Sequence, residues 1–468
     1  MINRTLQQIS NMAGGQLIFG TPESAIRGVS TDSRSIARDS LFIPLIGEKF
    51  NGHQYAEEAI QKGAAAVLWQ ADQGQPPEGV PAIQVENTLT ALQQLASAYR
   101  NELAVRVIGI TGSNGKTTTK DMVASILGTT YKVHKTEGNF NNHIGLPLTL
   151  LSMEEDTEMA VLEMGMSGRH EIELLSQLSR PEAVIITNIG EAHLMQLGSR
   201  LEIAKAKMEI LSGIQEDGFF VYPGDEPLIE QLFPEMKLSD EVLGFQISPS
   251  IKYLRFGDSD RNDLFPISTM MDDKGTFFVL NTSQSPTYYV PMLGLHNVTN
   301  AIAAIAVSKY MGVSEADIVQ GLKTMKATGM RIEQIEAKNG MTILNDCYNA
   351  SPTSMKAALQ LLSELPGYDT KIAVLGDMLE LGEQEEQFHR DIGRLLHPDE
   401  IQYVFTYGEL AEQIALAVSD AYPSGSVISF SNKEDIVLKL KSFSSGKTVV
   451  LVKGSRGMRL EEVVNGLR

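Results

Sequence analysis

The stretch Gly109-Ile-Thr-Gly-Ser-Asn-Gly-Lys-Thr-Thr118 brings together the residue types that hold a polyphosphate. A glycine-rich turn between a strand and a helix aims backbone N–H groups at phosphate oxygens. A lysine neutralises the β- and γ-oxygens, and a hydroxyl can ligate Mg2+. Here Gly112, Ser113, Asn114 and Gly115 supply the turn, Lys116 the charge, Thr117 the hydroxyl and Thr118 a further donor at the helix start. The spacing departs from the standard Gly-x-x-x-x-Gly-Lys-Thr: Ile110 occupies the first glycine position, and Gly109 comes one residue earlier. The plain alternative is a glycine turn with a chance lysine. The β-branched run Val105-Arg-Val-Ile-Gly-Ile110 before it and the helical pattern Thr117–Leu127 after it favour nucleotide binding. The expected chemistry is an ATP-driven step.

Other candidates are ambiguous one at a time. Glu163 ends the strand-like Met159–Glu163; by pattern alone it is a solvated strand-end acid. His193 follows Thr187-Asn-Ile-Gly-Glu-Ala, again beyond a strand, and a lone histidine is ordinarily a surface or core residue. Lys205 and Lys207 lie in the helical Ala204-Lys-Ala-Lys-Met-Glu-Ile-Leu211, where a lysine is ordinarily a solvated charge. Asn297 suits a helix N-cap, and Asp32 with Arg34 suits a surface ion pair.

The elements that must position these residues fall into blocks. Residues 1–103 hold the apolar run Leu41–Leu45, a helix-like His53–Lys62, the strand-like Ala64–Trp69 and an amphipathic helix Leu89–Glu102. Residues 104–314 alternate strands (Val105–Ile110, Met159–Glu163, Ala183–Asn188, Phe219–Tyr222) with helices (Thr117–Leu127, His170–Leu178, Leu201–Leu211), which predicts a mainly parallel, doubly wound sheet. Ile251–Tyr289 reads as an antiparallel extension, and Asn297–Tyr310 as a helix. Residues 315–468 alternate again, with strands at Thr342–Leu344, Ile372–Leu375, Tyr403–Thr406, Val427–Phe430 and Thr448–Val452, predicting a second doubly wound unit without a Gly-x-Gly-x-x-Gly turn. The boundary within Met311–Gly329 is soft, because helical pattern continues through it. The expected fold class is α/β with three domains: a smaller N-terminal α/β domain, a central phosphate-loop domain and a C-terminal Rossmann-like domain.

Composition narrows the function classes. The chain has 39 basic and 58 acidic residues in 468, a net charge of −19, which argues against a nucleic-acid partner. A phosphate ligand gains nothing from that global field, so local N–H groups, cations and metal must hold it. A single cysteine, Cys347, permits no internal disulfide. No apolar stretch is long enough to cross a bilayer and no leader pattern is read at Met1, so the expectation is a cytoplasmic protein without stable membrane insertion, and a monomer.

The off-register loop Thr-Gly-x-Asn-Gly-Lys-Thr-Thr resembles that of the Mur ligases, the ATP-dependent enzymes that build the peptide of bacterial cell-wall precursors. The resemblance runs essentially end to end. It is most specific in Glu137-Gly-Asn-Phe-Asn-Asn-His-Ile-Gly-Leu-Pro147, Asn345-Asp-Cys-Tyr-Asn-Ala-Ser-Pro352, Leu375-Gly-Asp-Met-Leu-Glu-Leu-Gly382 and Lys453-Gly-Ser-Arg456, which point to the branch that adds D-alanyl-D-alanine to UDP-N-acetylmuramoyl-tripeptide. The reaction this implies converts a peptide carboxylate to an acyl phosphate, which a neutral amine then attacks, releasing ADP and phosphate.

The resemblance also implies residue roles. Lys116, Glu163, His193 and Lys207 would be catalytic. Thr117, Glu163, His193 and Lys207, the last carbamylated by CO2, would hold two Mg2+ ions; Lys207, before Met-Glu-Ile-Leu, fits the family's modified position and Lys205 does not. Asn297 and Asn300 would read adenine, Arg331 reach the phosphates and Asp346 the ribose. Ser33, Arg34, Gly47, Asn51 and His53 would lie in the uridine region, with Asn51 standing where Asp is commoner. Asn142, Ser167 and Arg169 would face the muramoyl-peptide, and Tyr348, Asn349 and Ser351 the incoming dipeptide. Lys453 and Arg456 would contact carboxylate or phosphate. Cys347 would only pack. The alternatives are another ligase of this superfamily, such as folylpolyglutamate synthase, or, in a different class, a phosphate-loop regulator.

Overall fold

The structure, a computed structural model, describes residues 1–238, 241, 243–443 and 447–468. Its centre is a six-stranded, all-parallel sheet in the order Lys252–Phe256, Phe219–Pro223, Ala183–Ile186, Arg106–Thr111, Met159–Glu163, Val133–Lys135. Its inner strands are nearly continuous apolar runs because helices cover both faces. Alternate residues serve opposite cores. Val107, Ala160 and Leu162 pack toward the first domain, whereas Ile108, Ile110 and Val161 pack under the helices Lys116–Leu127 and Leu295–Tyr310. The phosphate loop thus leaves an inner strand of a sheet braced on both sides.

The first domain is a five-stranded mixed sheet, with Gln16–Phe19 antiparallel at one edge. The helix Thr88–Glu102, capped by Asn87, ties this domain to the centre. Its Tyr99 hydroxyl donates to Met153 O at 2.9 Å and its Arg100 Nε to Ser179 O at 2.6 Å. The C-terminal domain is a six-stranded sheet, ordered Glu333–Glu336, Thr342–Asp346, Thr448–Lys453, Thr370–Gly376, Tyr403–Tyr407, Val427–Phe430, in which only the edge strand Glu333–Glu336 is antiparallel.

Three expectations need correction. The segment from residue 251 to 289 is not one antiparallel extension. Lys252–Phe256 joins the central sheet in parallel, because the helix Pro227–Leu238 carries the chain back over the sheet first. Only Pro266–Met271, Thr276–Leu280 and Tyr288–Val290 form a separate antiparallel sheet. Second, the short strand Val133–Lys135 belongs to the central sheet although no run marked it. Third, the division expected at residue 315 falls later. The helix Glu315–Lys323 buries Ile318 and Leu322 in the central core, and Ser125 Oγ on the phosphate-loop helix donates to Gly321 O at 2.8 Å.

Candidate active site

The phosphate loop is rigid by construction. Gly112 (φ 151°) and Gly115 (φ 80°) take left-handed backbone that favours glycine. A Cβ at these positions would lie 1.8 Å from Thr187 Oγ1 and 2.5 Å from Asn300 Oδ1. Asn188 clamps the loop: its carbonyl accepts from Ser113 N–H at 3.1 Å and its Oδ1 from Asn114 N–H at 2.9 Å. Gly190 N–H donates to Ser113 Oγ at 2.8 Å. The helix Lys116–Leu127 starts at Gly115 with no side-chain cap, so its first-turn N–H groups remain free for an anion. Lys116 Nζ folds back to donate to Gly112 O at 2.7 Å. Burial lowers its pKa; the Glu163 charge opposes this and the Arg331 charge reinforces it.

Thr117 and Glu163 meet at the adjacent strand end. The Thr117 hydroxyl donates to Glu163 Oε2 at 2.9 Å, and Asn141 Nδ2 donates to Glu163 Oε1 at 2.8 Å. Arg331 reaches in from the interdomain linker: its Nη2 donates to Thr117 Oγ1 at 2.8 Å, and its guanidinium lies 4.2 Å from the Tyr348 ring centroid. Arg331 Nε is buried with no hydrogen-bond partner among the described residues. A donor so placed beside a phosphate loop is matched to an anionic oxygen.

His193 and Lys207 both line the cavity, near enough for the Lys207 charge to act on His193. His193 takes a left-handed φ of 66°, and its Nδ1 comes 2.9 Å from Glu380 Oε2 without hydrogen-bond geometry. Lys207 is 2% exposed and makes no hydrogen bond or ion pair with any of the described residues. Burial, then the Lys116 charge, pulls its pKa well below the ordinary lysine value. Burial, then the Lys207 charge, also lowers His193. Lys205 instead pairs with Glu202 at 2.8 Å near the surface.

Among the described residues no three His, Cys, Asp or Glu side chains converge as a metal cage. That suits Mg2+ held jointly by a hydroxyl, a carboxylate and nucleotide phosphates, and Thr117 with Glu163 fit it. His193 beside an unmodified Lys207 presents neutral or positive nitrogens, which fit a second Mg2+ only if Lys207 becomes an anion.

These groups open on one cavity of about 730 Å3 between the central and C-terminal domains. On its far wall Lys453, the 2% exposed end of its strand, donates to Asp346 Oδ2 at 2.7 Å and to Asn349 O at 3.0 Å. Asn297 and Asn300 line it too. Gly294, not Asn297, is the helix N-cap; Asn297 Nδ2 donates to Leu293 O at 2.8 Å. Asn142 and Ser167 line the side nearer the first domain, Asn142 Oδ1 accepting from Gly145 N–H at 2.8 Å and Ser167 N–H donating to Glu171 at 3.0 Å.

The family models for the Mur ligase family catalytic domain, the Mur ligase middle domain and the Mur ligase glutamate ligase domain match residues 25–100, 110–308 and 330–456. The UDP-N-acetylmuramoyl-tripeptide–D-alanyl-D-alanine ligase of Bacillus subtilis is 49% identical over 100% of this chain and 99% of its own length. The chain belongs to the Mur ligase family. The crystal structure of MurF from Acinetobacter baumannii matches with a TM-score of 0.89 at 30% identity, covering 100% of this chain and 99% of that one. MurF from Thermotoga maritima, solved in complex with ADP, matches with a TM-score of 0.81 at 27% identity over 94% and 97%.

Several predicted residues of this Mur ligase lie outside the cavity. Arg34 is 85% exposed and paired with Asp32 at 2.7 Å; its hydrogen bond holds the Asp32 carboxyl down to about 2. The surface ion pair is therefore what the structure contains, with Ser33 buried beside it. Gly47 lies in the turn closed by its N–H to Phe50 O at 2.9 Å. Both ring nitrogens of buried His53 are used internally, Nδ1 against Asn51 Oδ1 at 2.8 Å and Nε2 accepting from Gln70 N–H at 3.2 Å, so His53 and Asn51 shape this turn. Arg169 does not face the cavity: its Nε donates to Glu209 at 2.7 Å and its Nη1 to Glu202 at 2.8 Å, bracing the helix that carries Lys207. Ser351 caps the helix Pro352–Glu364, and its Oγ lies 3.2 Å from Asn114 Nδ2 on the phosphate loop. Arg456 is on the surface, 3.0 Å from Glu461.

Residues not singled out in the sequence include Asn141, Asn188 and His296. Asn141 lies inside the motif quoted for Asn142, Asn188 directly after a strand end, and His296 beside Asn297; a rule that strand ends and motif neighbours supply supporting polar groups would have found them.

Proposed function

We propose that this ligase joins D-alanyl-D-alanine to the tripeptide carboxylate of UDP-N-acetylmuramoyl-tripeptide, with ATP converted to ADP and phosphate. The carrying observation is the single cavity that joins Lys116 and Thr118 of the phosphate loop to Arg331, Tyr348, Asp346 and Lys453 of the linker and C-terminal domain, with Arg331 donating to Thr117 beside it. The full-length likeness to the Bacillus subtilis ligase supports the choice of substrates.

A carboxylate repels an attacking amine, and phosphorylation supplies the missing leaving group. The tripeptide carboxylate oxygen attacks the γ-phosphorus, the bond to the β-phosphate oxygen breaks, and ADP leaves. The free first-turn N–H groups and Lys116 hold the phosphates, and Arg331 offers its unpaired Nε to developing charge. The neutral dipeptide amine then attacks the acyl carbon, and the tetrahedral oxyanion collapses with loss of phosphate. Tyr348, Asn349 and Lys453 border the space from which that amine approaches. Contacts of the C-terminal domain with the phosphate loop exclude water that would hydrolyse the acyl phosphate.

Mg2+ would be held by Thr117 and Glu163, with a second ion at His193 and a carbamylated Lys207, and it supplies charge neutralisation of the transferring phosphoryl group. The environment of Lys207 supports carbamylation: CO2 adds only to a neutral amine, and burial, then the Lys116 charge, lowers the pKa of this amine well below the ordinary lysine value, which favours the neutral form. The uridine moiety is assigned to the first domain around Asp32–His53. No helix among the described residues is long and apolar enough to cross a membrane.

Phosphate release decides the reading. Release with UDP-N-acetylmuramoyl-tripeptide should depend on D-alanyl-D-alanine and not on single amino acids. Absence of dipeptide-dependent release would remove the assignment and favour another amino-acid ligase.

A further inference from the structure

Asp121 lies on the phosphate-loop helix, on the turn after Thr117, with its side chain 1% exposed. Its Oδ1 is 2.9 Å from Lys135 Nζ and 3.4 Å from Lys120 Nζ. Its Oδ2 accepts from Thr328, both from the backbone N–H at 3.0 Å and from the hydroxyl at 2.6 Å. Lys120, itself buried, donates to Thr136 O at 2.9 Å, and Thr136 Oγ1 accepts from the N–H of Glu163 at 3.0 Å. Asp121 therefore ties together the phosphate-loop helix, the strand behind Glu163 and the linker to the C-terminal domain.

The linker runs from the end of the helix Glu315–Lys323 to the strand Glu333–Glu336. After Thr328 it contains Met330 and Ile332 at φ 62° and 54°, conformations that cost free energy in side chains of this size. Between them stands Arg331, whose Nη2 reaches Thr117 Oγ1. A strained arm holds its course only when both ends are anchored. Beyond Arg331, Glu333 Oε2 accepts from Met330 N–H at 3.1 Å and from Asn345 Nδ2 at 3.0 Å. Before Arg331, Asp121 is the anchor.

We propose that Asp121 is a positioning residue of this ligase: by fixing Thr328 it sets the pivot of the C-terminal domain and delivers Arg331 to Thr117 and the nucleotide phosphates. This rests on the ATP-dependent reaction proposed above. The device is local, because the acid that anchors the linker is carried by the same helix whose N-terminus receives the phosphates. Any displacement of that helix moves Arg331 with it.

Thr328 is exposed whereas Asp121 is buried, so the variants are placed at Thr328, and circular dichroism with urea unfolding checks that each is folded. The test compares wild type, Thr328→Val, Thr328→Ser, Arg331→Ala and the double variant Thr328→Val/Arg331→Ala. Binding of a non-hydrolysable ATP analogue with Mg2+ is read by calorimetry, and KM and kcat by phosphate release. Loss of the charged hydrogen bond in Thr328→Val should weaken analogue binding and raise KM for ATP about fivefold, with KM for the UDP-linked peptide unchanged, while Thr328→Ser stays near wild type. In the Arg331→Ala background the same change should cost less than about 1.5-fold, since the anchor has nothing left to deliver. Equal losses in both backgrounds, or a Thr328→Val protein that binds the analogue like wild type, would overturn the proposal. Should wild type release no phosphate with D-alanyl-D-alanine, the substrate assignment fails, and the analogue-binding cycle still decides the role of Asp121.

Discussion

Ser351 Oγ lies 3.2 Å from Asn114 Nδ2, so the residue that caps the first helix of the C-terminal domain also touches the phosphate loop. Nearby, Thr353 Oγ1 donates to Glu191 Oε2 at 2.7 Å, and Met195 N–H donates to Glu380 O at 3.0 Å. The C-terminal domain is thus docked on the loop through small polar groups that can release it. Ser351→Ala removes cap and contact together. Stability should fall by about 1 kcal/mol in urea unfolding, and KM for ATP should rise severalfold. An unchanged KM would mean the contact has no part in closure.

Glu163→Gln keeps the shape of the side chain and one acceptor oxygen for Asn141 but removes the charge, and its amide nitrogen cannot accept from Thr117. In phosphate release kcat should fall about a hundredfold, while analogue binding in Mg2+-free buffer stays within about threefold of wild type. Equal loss with and without Mg2+ would count against a metal role.

Lys207 and Lys205 separate the carbamate from an ordinary salt bridge. In bicarbonate, the intact protein should gain the mass of one CO2, and Lys207→Arg should abolish both the gain and the activity. Lys205→Arg should keep both, because Lys205 is engaged by Glu202 near the surface. A mass gain that survives Lys207→Arg would move the modification elsewhere.

Arg169→Ala should act on stability rather than on substrate binding. Glu209 is fully buried; burial raises its pKa, against the His170 N–H and the Arg169 guanidinium. Removing Arg169 leaves that carboxyl without its countercharge and should cost about 3 kcal/mol in urea unfolding. KM for the UDP-linked peptide should not change once the folded fraction is accounted for.

Asp121 gives the acid limb of stability a specific origin. Burial pushes its carboxyl up, but the Thr328 hydroxyl and the Lys120 and Lys135 charges outweigh that and hold it below the ordinary value of 3.8. A depressed folded pKa adds stability above the unfolded value, and that stability is lost as pH falls through the folded one. The gap in unfolding free energy between wild type and Asp121→Asn should therefore be about 3 kcal/mol near neutral pH and shrink as pH drops below about 4. A gap independent of pH would show that the charge of Asp121 is not what stabilises.

The phosphate loop and the alternation of strands with helices were legible because each is a local pattern: glycine where φ must be positive, apolar runs where both faces are covered. Local pattern reads Glu163 as a solvated strand-end acid, whereas it is buried against Thr117. The same locality explains the misreadings. Arg169 and Ser351 lie in stretches whose neighbours Ser167 and Asn349 line the cavity, yet their own partners, Glu209 and Asn114, are brought to them only by folding. The sequence puts the end of the central domain ahead of Glu315–Lys323 because Ile318 and Leu322 look alike whether they pack on the domain before or after them; they pack on the one before.

By itself the sequence determined the fold class and the presence of a phosphate-binding strand–loop–helix, since backbone conformation and apolar periodicity are properties of short segments. Only the tertiary structure decided which of two neighbouring lysines is buried, that Arg331 reaches Thr117 from a linker whose Thr328 bonds to Asp121, and that residues of the central and C-terminal domains share one cavity. Desolvation and hydrogen bonding depend on what packs around a group, and those neighbours come from distant parts of the chain.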